Sequence, residues 1–146
     1  MFRFRDGELQ VFLAHPGGPT RDPSDAGTWT LPKGGRKSYE TFLQAAEREF
    51  EEEVGLRPHG PYFDLGSIQQ KNGKIVRVWA FRGDWDESQP IRSPMRKVIW
   101  PPDSGQWQTF PEFDRAAFCS LPDASQKLSR RYLPLLDRLV SLLGLA

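Results

Sequence analysis

Short apolar runs dominate the first two-thirds of the chain, and helical spacing takes over in two places. Residues 8–15 set Val11 and Leu13 against Phe12 and Ala14, which reads as a strand covered on both faces. Asp6-Gly7 ahead of it is a turn signal and makes Phe2 to Arg5 the end of a partner strand. Residues 62–70 and 74–81 form a second pair, joined through Lys71-Asn72-Gly73, where Asn-Gly is a strong hairpin signal. In its second arm Val76, Val78 and Ala80 fall on one face, and Ile75, Arg77, Trp79 and Phe81 on the other. Residues 29–35 read as a short strand running into a turn, and residues 16–27, rich in Gly, Pro and Asp, as a loop. Residues 97–100 read as a short strand stopped by Pro101-Pro102, and residues 103–112 as a loop. From Asp123 onward Leu128, Tyr132, Leu135, Leu136, Leu139, Val140 and Leu143 recur at helical spacing, with Pro134 expected to kink or divide the helix.

The other helical stretch carries the chemistry. Ser38 is the expected cap, Glu40 the acid of the first turn, and Gly55 the stop. At about 100° per residue, Phe42, Ala45, Ala46, Phe50 and Val54 make the apolar stripe. Glu47 and Glu51 fall towards the polar back, whereas Glu49, Glu52 and Glu53 fall beside or within the stripe. Three anions on the core side are costly, and Glu49 with Glu53 is an i,i+4 like-charge pair. A hard divalent cation held by carboxylate oxygens removes that conflict, and Mg²⁺ or Mn²⁺ suits such ligands. Arg48, one turn before Glu52, is placed to pair with it. A solvated acidic face is the ordinary reading of a charge run, and clustering on the core side argues against it here.

Composition narrows the setting. The 146 residues fit one domain, and a formal net charge of +1 gives no global reason to expect a nucleic-acid polymer or an acidic membrane as partner. Cys119 is the only cysteine, which excludes an internal disulfide and fits a reducing compartment. No stretch approaches the roughly 20 apolar residues of a membrane span, and residues 1–7 lack the apolar core of a secretory signal. The expected setting is the cytoplasm. Oligomeric state is not legible. His15 and His59 stand apart from any metal-spaced cluster and are given no role.

The spacing G-x5-E-x7-R-E-U-x-E-E-x-G-U, with U a bulky apolar residue, is filled by Gly34, Glu40, Arg48, Glu49, Phe50, Glu52, Glu53, Gly55 and Leu56. It resembles the Nudix box, with Phe50 where an aliphatic residue is commoner. So many fixed positions make a chance match improbable. The resemblance implies an α+β fold, the Nudix-type α/β/α sandwich with a mixed β-sheet, over a single domain spanning 1–146 with its box at 34–56. It implies metal-dependent hydrolysis of a pyrophosphate bond in a nucleoside diphosphate linked to some group X. The first strand is short for the family, so the chain either begins abruptly or has residues upstream of this numbering.

Carried over residue by residue, the resemblance makes Glu49, Glu52 and Glu53 metal ligands, with the Gly34 carbonyl a further candidate. Mg²⁺ or Mn²⁺ is the implied cofactor. Glu53, within the box, and Glu112, just ahead of the last core strand, are alternatives for the base, with Asp114 as fallback; Glu52 completes the catalytic acids. Arg48 orients the glutamates and Glu40 is structural. Lys33 and Arg77 are candidates for phosphate contact, and Trp79, with Trp29, Tyr39 and Trp107, for stacking a base. The stretch from Leu65 to Phe118 resembles a bacterial, MutT-like branch described as nucleoside-triphosphate pyrophosphohydrolases. The expected partner is a small nucleotide polyphosphate, most simply a nucleoside triphosphate or a dinucleoside polyphosphate. The alternative is a Nudix-fold module that senses a nucleotide without turnover.

Overall fold

The computed structural model describes residues 1–19 and 25–145. Strands β1 (Phe2–Arg5) and β2 (Glu8–Pro16) form an antiparallel hairpin, and β2 pairs on its other edge with β7 (Phe113–Ser120). Helix α1 spans Phe42–Val54, and the hairpin β3 (Tyr62–Gln69) and β4 (Ile75–Phe81) follows. A second hairpin comprises β5 (Met95–Ile99) and β6 (Trp107–Pro111). Helices α2 (Leu121–Lys127) and α3 (Leu133–Leu142) close the chain. The four ladders are antiparallel, and an isolated parallel bridge, Phe2 to Arg82, links the end of β4 to the central sheet. This is the mixed α+β arrangement expected of the fold.

Strand β2 is the middle layer. Leu9, Val11 and Leu13 face a core completed by Leu128, Leu135, Leu136 and Leu139 from the C-terminal helical region. Phe12 and Ala14 face the opposite way, onto Phe50 and Val54 of α1 with Phe81 and Trp85. Alternate residues of one strand therefore feed two cores, as the doubly apolar run of β2 requires. The second core is largely aromatic: Phe12 meets Phe50, Trp85 and Phe118, and Phe50 meets Phe81, mostly edge to face.

Several expectations are corrected. Residues 103–112 are not all loop, because β6 occupies Trp107–Pro111 and pairs with β5 over Ile99 to Met95. Trp29 and Thr30 make only isolated bridges, to Leu128 and Ala14. The C-terminal helix is divided, one of the two expected outcomes, but ahead of Pro134: α2 ends at Lys127, a 3-10 turn covers Arg130–Tyr132, and Pro134 sits in the first turn of α3. Proline fits a first helical turn because the amide it lacks has no partner there anyway. The expected loop at residues 16–27 falls partly on residues 20–24, outside those described.

Arg3 is a buried cation that the pattern did not reveal. Its guanidinium reaches Gln10 at 2.8 Å, Asp84 at 2.7 Å and Glu87 at 2.6 Å, and it stacks on Phe118 at 3.8 Å. It pins the 84–87 segment to the central sheet. Replacing Arg3 with alanine is expected to destabilise the protein by about 2 kcal/mol, because the acids left behind are solvated while the packing on Phe118 is lost. A thermal melt should show a midpoint lower by roughly 5 °C; an unchanged midpoint would contradict the pinning role.

Candidate active site

Thr41, not Ser38, caps α1. Its hydroxyl accepts from the Gln44 amide, and the Gln44 side chain accepts from the Thr41 amide, a reciprocal capping box. The other end stops at Gly55, in the left-handed conformation that favours glycine, as the spacing predicts. Capped at both ends, α1 is a fixed rail along one wall of a groove of about 510 Å³. Strand β4 and residues 31–36 form much of the remaining wall.

Glu47, set towards the polar back by the wheel, instead lines the groove and accepts the Tyr62 hydroxyl at 2.9 Å. Glu53 is buried and lines the groove. Glu49 is half-buried, and the Glu52 side chain remains 54% exposed. The wheel reading that set Glu52 beside the apolar stripe is therefore corrected: it turns outward onto Arg48, at 3.1 Å. Phe42 is corrected too. It is 49% exposed and lines the groove instead of joining either core.

Arg48 holds the box together. Its guanidinium meets both Glu40 oxygens, at 2.7 and 2.9 Å, then Glu49 at 2.9 Å, Glu52, and the Gly35 carbonyl at 2.8 Å. Glu40 precedes the helix instead of occupying its first turn, and it also accepts from the Lys37 amide at 2.9 Å. Those donors hold the Glu40 carboxyl down to about 2, while the acids raise the Arg48 guanidinium above its usual range. One arginine thus ties the glycine loop to the helix.

Glu53 accepts the Lys33 amide at 2.9 Å, so the loop backbone caps its carboxylate. Burial nevertheless raises Glu53 to about 7, and the charges of Glu49 and Glu112 push the same way. Glu112 stands between β6 and β7, as the sequence placed it, and lines the groove with Glu53. A Cβ at Gly34 would overlap the Glu49 carboxylate. The loop approaches the helix so closely there that a side chain at residue 34 would displace the Glu49 carboxylate. Among the described residues, no three His, Cys, Asp or Glu side chains are already gathered as a metal cluster. The donor set still fits a hard cation: the charges of Glu49 and Glu112 both act on Glu53, and the Gly34 backbone abuts Glu49.

The Lys33 ammonium bonds the Thr30 hydroxyl at 3.2 Å and lies over Tyr132 at 5.5 Å. Arg77 and Trp79 line the groove from β4. Trp29 belongs to the core, whereas Tyr39 and Trp107 are exposed, at 78% and 65%, and line no part of the groove. Asp114 lies in β7 and is bound to His15 Nδ1 at 2.8 Å, away from the groove acids. His15, given no role from sequence, is buried between Asp114 and Asp25, with its Nε2 at 3.1 Å from Asp25. That network ties residue 25 to the sheet.

The profile of the family described as NUDIX domain matches residues 1–139. No curated protein matches the chain. Among solved structures, the E. coli ORF135 protein is 25% identical, covers 98% of this chain and 86% of its own, and has a TM-score of 0.56. An Ap4A hydrolase from C. elegans, solved as a binary complex, is 20% identical with coverages of 98% and 93% and a TM-score of 0.63. The NUDIX domain of Shewanella oneidensis NrtR, complexed with ADP ribose, is 16% identical with coverages of 97% and 82% and a TM-score of 0.64.

Proposed function

This chain belongs to the Nudix family, and on that premise we propose that it is a divalent-metal-dependent hydrolase. It cleaves a pyrophosphate bond in a nucleoside triphosphate or a dinucleoside polyphosphate. The observation that carries the reading is the juxtaposition of buried Glu53 with Glu49 and Glu112, beside Gly34, whose missing side chain leaves room for the Glu49 carboxylate. Glu49, Glu52 and Glu53, with the Gly34 carbonyl, would hold Mg²⁺ or Mn²⁺. When bound, the ion neutralises phosphate charge and lowers the pKa of water.

The chain's own groups do the rest. Glu112, at the same end of the groove as Glu53 and outside the box, takes the proton from the attacking water. The water oxygen bonds to phosphorus, the anhydride bond breaks, and the bridging oxygen leaves with the other phosphate. Arg48 keeps Glu49 and Glu52 in place without touching substrate. Lys33 and Arg77 contribute positive charge along the groove, and Trp79 contributes a ring face. Intact box acids favour turnover over a sensing module, and the single cysteine fits a cytoplasmic enzyme.

A substrate panel tests this. It holds ordinary nucleoside triphosphates, 8-oxo-dGTP, diadenosine tetraphosphate, ADP-ribose and a diphosphoinositol phosphate, each assayed with Mg²⁺, Mn²⁺ or a chelator. Turnover of a triphosphate or of the dinucleotide, abolished by chelation, is the expected result. Turnover that survives chelation would remove the metal from the account. Binding without turnover under every condition would leave the sensing module.

A further inference from the structure

At the end of the groove away from the acids, Arg77 and Trp79 meet two residues that have no role so far, Phe42 and Arg36. Phe50 of α1 packs on Phe81 of β4, with ring centroids 5.2 Å apart, and this pair marks the acidic end. Phe42 lies eight residues earlier on α1, or about 12 Å along the axis. Arg77 lies four residues before Phe81 on β4, or about 13 Å along the strand. The two rulers agree, and they bring Arg77 opposite Phe42. Its guanidinium carbon lies 5.5 Å from the Phe42 ring and 5.0 Å from the Trp79 ring. Arg36, from the glycine loop, lies 4.8 Å from the same Phe42 ring.

This cluster is not a piece of the core. Neither Phe42 nor Trp79 belongs to a core cluster, and both line the groove. Phe42 is half exposed although it sits in the first turn of a firmly capped helix. Among the described residues, the ion pair of Arg77 is a long one, 3.4 Å, to an Asp64 side chain that is itself 54% exposed. An aromatic ring held rigid and wet, with guanidinium planes against it, offers stacking faces to another flat π-system. Nucleobases stack on such surfaces.

We propose that Phe42, with Arg77 and Trp79 across the groove and Arg36 beside it, forms the nucleobase subsite of this enzyme. Phe42 is its specificity-determining residue. Bases stack against Phe42 and Trp79, and Arg77 packs on the base or turns its free edge to the phosphates. The subsite lies about 12 Å along the helix from the acidic end, so the phosphate chain spans the groove between them. Substrates with a base at that reach are selected over phosphate esters that carry none. This rests on the hydrolase reading for its orientation and deepens it, but its test does not need turnover.

Binding is measured with α,β-methylene-bridged ATP, which resists cleavage at that bridge, and with methylenediphosphonate, which carries no base. Tryptophan emission, with Trp79→Phe as control, reports stacking. Phe42→Ala is expected to weaken the nucleotide analogue about tenfold, the loss of one stacked base, while changing methylenediphosphonate less than twofold. Phe42→Trp is expected to restore nucleotide affinity, and the quench is expected to disappear in Trp79→Phe. Equal weakening of both ligands by Phe42→Ala would overturn the proposal, since Phe42 would then only support the loop. So would unaltered nucleotide affinity. Phe42-dependent binding in a protein that hydrolyses nothing would uphold the subsite and sink the hydrolase reading; hydrolysis of nucleotides with Phe42-independent binding would do the reverse.

Discussion

Glu53→Gln is expected to lower turnover roughly a thousandfold while leaving the fold intact. The same substitution is expected to raise the thermal midpoint of the metal-free protein at pH 8. Both follow from one placement. Glu53 is buried, faces the charges of Glu49 and Glu112, and is raised to about 7 against an ordinary value of 4.5. A carboxyl whose folded value is raised contributes stability that is fully present below its unfolded value. That contribution is lost as pH rises through the folded one. The metal-free protein therefore loses this contribution between pH 4.5 and about 7. Glutamine stays neutral, and its carbonyl can still accept the Lys33 amide, so the loss disappears. A midpoint gain at pH 8 that vanishes near pH 5 is the expected signature in thermal melts. Equal midpoints at pH 8, or unchanged turnover, would remove Glu53 from its assigned place.

Gly34→Ala carries the second large effect, a loss of turnover of about a hundredfold, in the range that mispositioning a catalytic group produces. An added methyl group would occupy the position of the Glu49 carboxylate. Gly34 itself shows no positive φ, so the backbone accepts alanine and the flexible Glu49 end moves instead. The expected outcome is a folded protein with nearly native stability, displaced Glu49 and weakened metal dependence. Steady-state assays across a Mn²⁺ series, read beside a thermal melt, separate these effects. A normal rate at ordinary metal concentration would show that Glu49 is not used where it stands.

The legible parts of this chain were those set by local pattern. Asn72-Gly73 located the β3–β4 turn, and the alternation in β4 correctly divided Val76, Val78 and Ala80 from Arg77 and Trp79. The box spacing located α1 because its stop at Gly55 is written in single residues. What failed to show were partnerships across the chain. Arg3 finds Asp84, and His15 finds Asp114, through contacts separated by 81 and 99 positions, which no window of sequence contains. The helical wheel treated the stripe as one uniform buried face. In the fold, α1 faces the core only from Ala45 onward, and its first turn overhangs the groove, so Phe42 is wet and Glu53 dry. Strand β6 was missed because Trp107 to Pro111 is a largely exposed hairpin arm, whose residues show no buried alternation to read.

The cation site is the centre of this account, and Mn²⁺ titrated into the protein under electron paramagnetic resonance tests it most directly. The native chain is expected to remove free Mn²⁺ signal, and Glu53→Gln to need at least about ten times more protein for the same loss. Identical titrations for the two proteins would contradict the assignment of the groove acids as the metal centre.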